Sequence, residues 1–286
     1  MSQISIILPT YNVEKYIARA LESCINQTFK DIEIIVVDDL GNDKSIDIAK
    51  EYANKDNRIK IIDNKENLGT FASRNIGALN ANSDFIMFLD PDDYLEFDAC
   101  ELGFEKIKNV DMVVFDAYVH RVKFKKFYRF KQDELFKKDE FLEFLLRQKH
   151  FCWSVWAKVY KKDLILKSFE YVSFKERLCY GEDVLFNYIN FMLSESFFVS
   201  KECIYHYEFN ENGRYENKNK EILWQNYEHK KQSLKHIKKL TNIFPYKHFN
   251  EKILEILEKE ILGLEDRVWG NKVIKSKNNF CFLSSP

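Results

Sequence analysis

The chain has no apolar run approaching the roughly 18 residues that a bilayer-spanning helix needs, so any membrane contact is expected to be peripheral. It opens Met1-Ser2-Gln3 and passes directly into an apolar segment, with no basic n-region and no small-residue cleavage site; a secretory leader is therefore not expected. Paired cysteines are missing too. Cys24, Cys100, Cys152, Cys179, Cys203 and Cys281 are scattered without any Cys-x-x-Cys, which argues against a zinc site or a disulfide framework and for reduced thiols in a cytoplasm. Net charge is nearly absent, 44 Lys+Arg against 45 Asp+Glu, and this excludes a general nucleic-acid binder. No internal repeat or low-complexity linker divides the chain.

What is present fits a soluble, globular protein of 286 residues with 45% hydrophobic and 31% charged residues, enough for one large α/β domain with an extension. Neutrality overall hides Lys-rich stretches at 120–131 and 229–239. Residues 4–8, 32–37, 58–62 and 85–89 read as buried strands. Between them, 14–28, 45–53 and 70–80 carry helical spacing, as in Ile17, Ala20, Leu21, Cys24 and Ile25. Such alternation predicts βαβ units and a largely parallel sheet covered on both faces. Further on, 110–117 reads as a strand, 120–131 as an exposed strand or hairpin, and 139–148 and 162–168 as helices. Helical patterns dominate from 217, where Ile253, Leu257, Ile261 and Leu264 draw an apolar stripe suited to intramolecular packing or a dimer contact.

Three of the strands end in polar clusters: Pro9-Thr10-Tyr11-Asn12, Asp38-Asp39 and Asp90-Pro91-Asp92-Asp93. Parallel strands place their carboxyl ends on one edge, where open α/β sheets bind ligands. Oxygen-rich clusters suit a hard divalent cation, although Pro-Asp-Asp by itself is equally a turn or helix cap.

Taken in order, Ile6-Ile7-Leu8-Pro9-Thr10-Tyr11-Asn12, Gln27-Thr28-Phe29, Val36-Val37-Asp38-Asp39, Asn67-Leu68-Gly69, Arg74-Asn75 with Gly77, Phe88 to Asp93 and Gly181-Glu182-Asp183 resemble the inverting family-2 glycosyltransferases. Among these, the opening block is most similar to bacterial lipo-oligosaccharide β-1,3-galactosyltransferases. The resemblance implies an α/β fold of GT-A type: a Rossmann-like, mostly parallel sheet flanked by helices, with a helical C-terminal extension. Residues 1–100 would form the nucleotide-sugar half, 101–215 the acceptor half and 216–286 the extension.

Carried over position by position, the resemblance makes Asp183 the catalytic base and Asp92 the direct ligand of Mn²⁺ or Mg²⁺. Asp90 would contact the donor ribose or the metal's water shell, and His206 the diphosphate or metal. Asp39 would read the uracil, while Pro9, Thr10, Tyr11, Asn12, Asn67 and Gly69 shape the nucleoside pocket. Arg74 would reach the donor phosphates or sugar, Glu182 would support the base or bind acceptor, and Arg214 would bind phosphate. The implied partners are a UDP-sugar and a glycan or glycolipid acceptor, with contact at the inner membrane from the cytoplasmic side. No Gln-x-x-Arg-Trp motif is present, which favours single-residue transfer over polymer synthesis. Trp153 and Trp156 are placed either as an acceptor platform or in the core. UDP-glucose or UDP-N-acetylhexosamine transfer in capsule or O-antigen synthesis stays open as an alternative, as does a non-catalytic glycan-binding module. A nucleotidyltransferase is disfavoured, because no Gly-rich phosphate loop follows the first strand.

Overall fold

Short β-branched runs alternating with amphipathic segments fold here as strand-helix units: β1 (Ile4–Thr10), α1 (Ile17–Ile25), β2 (Ile32–Asp38), α2 (Ser45–Ala53), β3 (Ile59–Asp63), α3 (Thr70–Asn80) and β4 (Phe85–Phe88). The computed structural model describes residues 2–120, 124–126, 130–148, 153–173, 175–208, 210, 213 and 217–269. It continues with β5 (Tyr94–Leu95), α4 (Ala99–Ile107), β6 (Met112–His120), β7 (Phe124–Lys126), β8 (Glu134–Lys137), α5 (Lys138–Arg147), β9 (Lys158–Lys161) and α6 (Lys162–Ser168). The last elements are α7 (Glu182–Leu193), β10 (Ser196–Glu208), α8 (Lys220–Leu240) and α9 (Lys247–Trp269).

One sheet runs β3-β2-β1-β4-β9-β6-β10-β5, with β7 on β6 and β8 on β10. Its first four strands are parallel, as the alternation predicts. Beyond them the sheet is mixed: β9 runs antiparallel to both β4 and β6, while β6 and β10 are parallel to each other. A four-residue strand that begins and ends in lysine carries no sequence signal for that reversal.

Side chains of successive strand residues point to opposite faces, and the sheet uses both. Ile7, Ile35, Val37 and Phe88 share a core with Phe71 of α3, Val184 of α7 and Ile253 of α9. Ile6, Leu8, Ile34, Val36 and Met87 share the other with Ala20 of α1, Ala49 of α2 and Cys100 of α4. The stripe Ile253, Leu257, Ile261 and Leu264 is buried within the chain, so the packing alternative holds and the stripe leaves no apolar surface for a dimer. Among the described residues no helix is long and apolar enough to cross a membrane.

Trp153 and Trp156 are 1% and 0% exposed, which removes them as an acceptor platform. Trp156 stacks on Tyr205 at 4.9 Å, and Trp153 on Phe191 at 5.8 Å between ring centroids. A Trp156→Ala variant is expected to lose about 3–5 kcal/mol of stability in urea unfolding, the usual cost of a large core cavity.

Candidate active site

The carboxyl ends of β1, β2 and β4 do meet on one edge, and the loops there are tied together through Asp39. Its Oδ1 accepts from Leu68 N at 2.7 Å and Asn64 Nδ2 at 2.9 Å, and its Oδ2 from Gly69 N at 2.8 Å. Asn67 Nδ2 donates to the Asp39 carbonyl at 3.0 Å. Asp39, Asn67 and Gly69 thus form one loop anchor, with Gly69 at φ +84 opening α3. Only a residue without a side chain takes that turn cheaply.

Of the first block, Pro9 and Thr10 are buried at the carboxyl end of β1, where Thr10 Oγ1 donates to the Leu8 carbonyl at 3.1 Å. Tyr11 is 51% exposed. Asn12, exposed and at φ 52, accepts from Asn42 N at 2.8 Å and so braces the loop after β2.

The centre of the site is Arg74, on α3 and 3% exposed. Its Nη2 donates to Asp90 Oδ1 at 2.6 Å, and its Nη1 to Asp183 Oδ1 at 2.7 Å and Glu182 Oε1 at 3.2 Å. The fork therefore joins the end of β4 to the first turn of α7, positions more than 90 residues apart in sequence. Arg74 was expected on the donor itself; as placed, its two terminal nitrogens serve carboxylates. Burial would lower its pKa, but Asp90, Asp183 and Glu182 outweigh burial and raise it. One cation faces three carboxylates, and the imbalance falls on Glu182: burial first, then the charge of Asp183, lifts its pKa to about 8. The N-terminus of α7 favours the remaining negative charge.

Around β4 the three acids separate by role. Asp93 is 0% exposed, accepts from Tyr205 Oη at 2.6 Å and Glu208 N at 2.8 Å, and closes the turn through its own N–H to the Asp90 carbonyl at 2.9 Å. Burial, with Asp92 and Asp90 nearby, pushes its pKa well up. Asp92 accepts from Asn210 Nδ2 at 3.0 Å, and burial together with the charge of Asp90 raises its pKa. Two crowded hard-oxygen donors of this kind fit Mn²⁺ or Mg²⁺, which are commonly held by one or two carboxylates plus substrate phosphate oxygens.

His206 does not fit as a third ligand in this arrangement. Its Nε2 lies 2.7 Å from Glu96 Oε1 and its Nδ1 2.8 Å from His120 Nε2, while the ring stacks on Tyr94 at 4.3 Å. Both nitrogens are engaged because β10 places His206 between β5 and β6. Among the described residues no three His, Cys, Asp or Glu side chains form a ready metal cage. Arg214 lies outside the described residues.

With this geometry in view, residues 5–168 match the family model described as Glycosyl transferase family 2. The chain belongs to glycosyl transferase family 2. Within that family, glycosyltransferase GlyA of Streptococcus pneumoniae serotype 4 is 35% identical over 216 residues, covering 72% of this chain and 30% of GlyA. Cholesterol galactosyltransferase of Borreliella burgdorferi is 30% identical over 197 residues, covering 64% of this chain and 54% of that protein. The chain thus spans less than two thirds of either relative. Among solved structures, S. aureus TarS in complex with UDP-GlcNAc superposes with a TM-score of 0.69 at 23% identity, over 92% of this chain and 72% of that one. At that identity the likeness speaks to the fold, which is of GT-A type.

The bonds of Asn64 to Asp39, Asn210 to Asp92, Tyr205 to Asp93 and His120 to His206 join segments far apart in the chain and are not readable from spacing. Tyr205 alone had a local signal, the Tyr-His-Tyr run of β10.

Proposed function

We propose that this family-2 glycosyltransferase moves one hexose, galactose in the leading reading, from a UDP-sugar to a lipo-oligosaccharide or another cell-surface glycan precursor, with inversion. The observation that carries the reading is the Arg74 fork, which draws the donor-side Asp90 and the acceptor-side Asp183 onto one guanidinium. In a single displacement the acceptor oxygen bonds to the anomeric carbon as the bond to the diphosphate breaks. The acceptor's proton passes to the Asp183 carboxylate. A divalent ion bound at Asp92 and Asp90 would neutralise the departing diphosphate as a Lewis acid. Arg74 holds Asp183 and Asp90 in register, and Glu182, whose pKa is raised by burial and by the charge of Asp183, stands beside the base where an acceptor hydroxyl would arrive.

The galactosyltransferase relative supports galactose, and the UDP-GlcNAc complex of TarS supports an N-acetylhexosamine as the second reading. A donor panel decides between them: UDP release from UDP-galactose, UDP-glucose and their N-acetyl forms, with a lipo-oligosaccharide acceptor. Galactose is expected to give the highest kcat/KM, and preference for an N-acetyl donor would overturn it. The Asp92→Ala variant is expected to lose the Mn²⁺-dependent part of UDP affinity in calorimetry, whereas unchanged affinity would remove Asp92 as the metal ligand.

A further inference from the structure

The family match ends at residue 168, well before α8, yet α8 reaches the acidic turn of the site. Lys230 sits on the buried face of α8, in phase with Leu223, Asn226, Ser233 and Ile237, and is 1% exposed. A lysine buried so deeply must have both its stem and its charge accommodated. The ammonium is ion-paired with Glu260 of α9, lies 5.6 Å from the centroid of the Tyr180 ring, and is further attracted by Glu182. The stem lies over Gly181: a Cβ at that position would come within 2.6 Å of Lys230 Cδ.

Gly181 stands at φ +73, immediately before Glu182 and Asp183. The segment leading to it is gripped from both sides. On one side Phe71 N of α3 donates to the Leu178 carbonyl at 3.1 Å. On the other, Cys179 N donates to His229 Nδ1 at 3.3 Å, next to Lys230 on α8. The entry of α7 is thus fixed between the helix that carries Arg74 and a helix far outside the family match.

We propose that Lys230 is a positioning residue of the transferase site, its stem and Glu260-paired ammonium holding the 178–181 segment so that Glu182 and Asp183 arrive at the Arg74 fork. The proposal rests on the transferase reading above. It makes α8 and α9 part of the active-site scaffold and not a cover for the core alone. Misplacing a base by a fraction of an ångström costs far more in turnover than in donor binding, because only the transition state needs the alignment.

The test is the paired variant Lys230→Met/Glu260→Gln, which removes both charges together and leaves neither partner buried alone. Hydrogen exchange of the peptide spanning residues 178–183 is expected to accelerate. Turnover is expected to fall roughly 10- to 100-fold while donor KM stays within about twofold. Unchanged exchange would overturn the proposal, and so would faster exchange with full turnover. If the paired variant does not fold, Gly181→Ala presses on the same stem from the other side; retained turnover there would overturn the proposal equally. A wild-type protein inert on every donor would instead refute the transferase reading, and the exchange result would still decide whether Lys230 holds the turn.

Discussion

Replacing Arg74 by methionine is expected to cost about 3–5 kcal/mol of stability near pH 8, the range seen when one partner of a buried ion cluster is removed. Turnover is expected to collapse with it. Arg74 is ion-paired with Asp90, Glu182 and Asp183 at once, and without it the three carboxyl groups would face one another in a largely buried space. The deficit should depend on pH in a defined direction. The folded-state pKa of Glu182, about 8, lies above its ordinary 4.5, so the stability linked to its proton is fully present below about 4.5 and is lost as pH rises through about 8. The guanidinium is what holds the Glu182 pKa down against burial and the charge of Asp183, so removing it raises that pKa further. The variant should therefore be weakest on the alkaline side and recover as the medium is acidified toward pH 6. Urea unfolding at several pH values measures this; a deficit independent of pH would show that Arg74 acts by packing and not by charge. Adding Glu182→Gln to the variant should recover part of the loss at pH 8, because a neutral amide no longer has to take up a proton when the chain folds.

The second large effect is on chemistry alone. Asp183→Asn is expected to lower turnover by about 10²- to 10⁴-fold, the usual contribution of a positioned general base, while calorimetric affinity for UDP with Mn²⁺ is maintained. Asparagine keeps the shape and an oxygen that can still accept from Arg74 Nη1, now 2.7 Å from Asp183 Oδ1, so the fork should survive. What it loses is the capacity to take a proton from the acceptor. Retained turnover would remove Asp183 as the base and shift attention to Glu182.

The gathering of the ends of β1, β2 and β4 on one edge was legible in sequence because apolar strands stop abruptly in polar clusters, and a parallel sheet brings such ends together. Asp39, Asn67 and Gly69 fall into one anchor, and Asp93 takes the turn for the same reason. The three-way pairing of Arg74 was not legible, since its partners Asp90, Glu182 and Asp183 come from separate elements whose approach is set by packing of α3 against α7. Trp153 and Trp156 stood open between a sugar platform and the core because aromatic composition is the same in both, and their burial decides for the core. The reversal at β9 turned a largely parallel expectation into a mixed sheet. Lys230 was hidden differently. It lies within the Lys-rich stretch 229–239, where charge reads as solvated surface, yet its helical phase with Leu223 and Ile237 places it on the inner face.

Because one buried core joins Ile7 of the first strand to Leu257 of the last helix, and Lys230 rests on Gly181, the C-terminal helices are not an exchangeable cassette. Chimeras that graft the helices of a relative onto this catalytic half should succeed only where the residues meeting at positions 181 and 230 are transferred together.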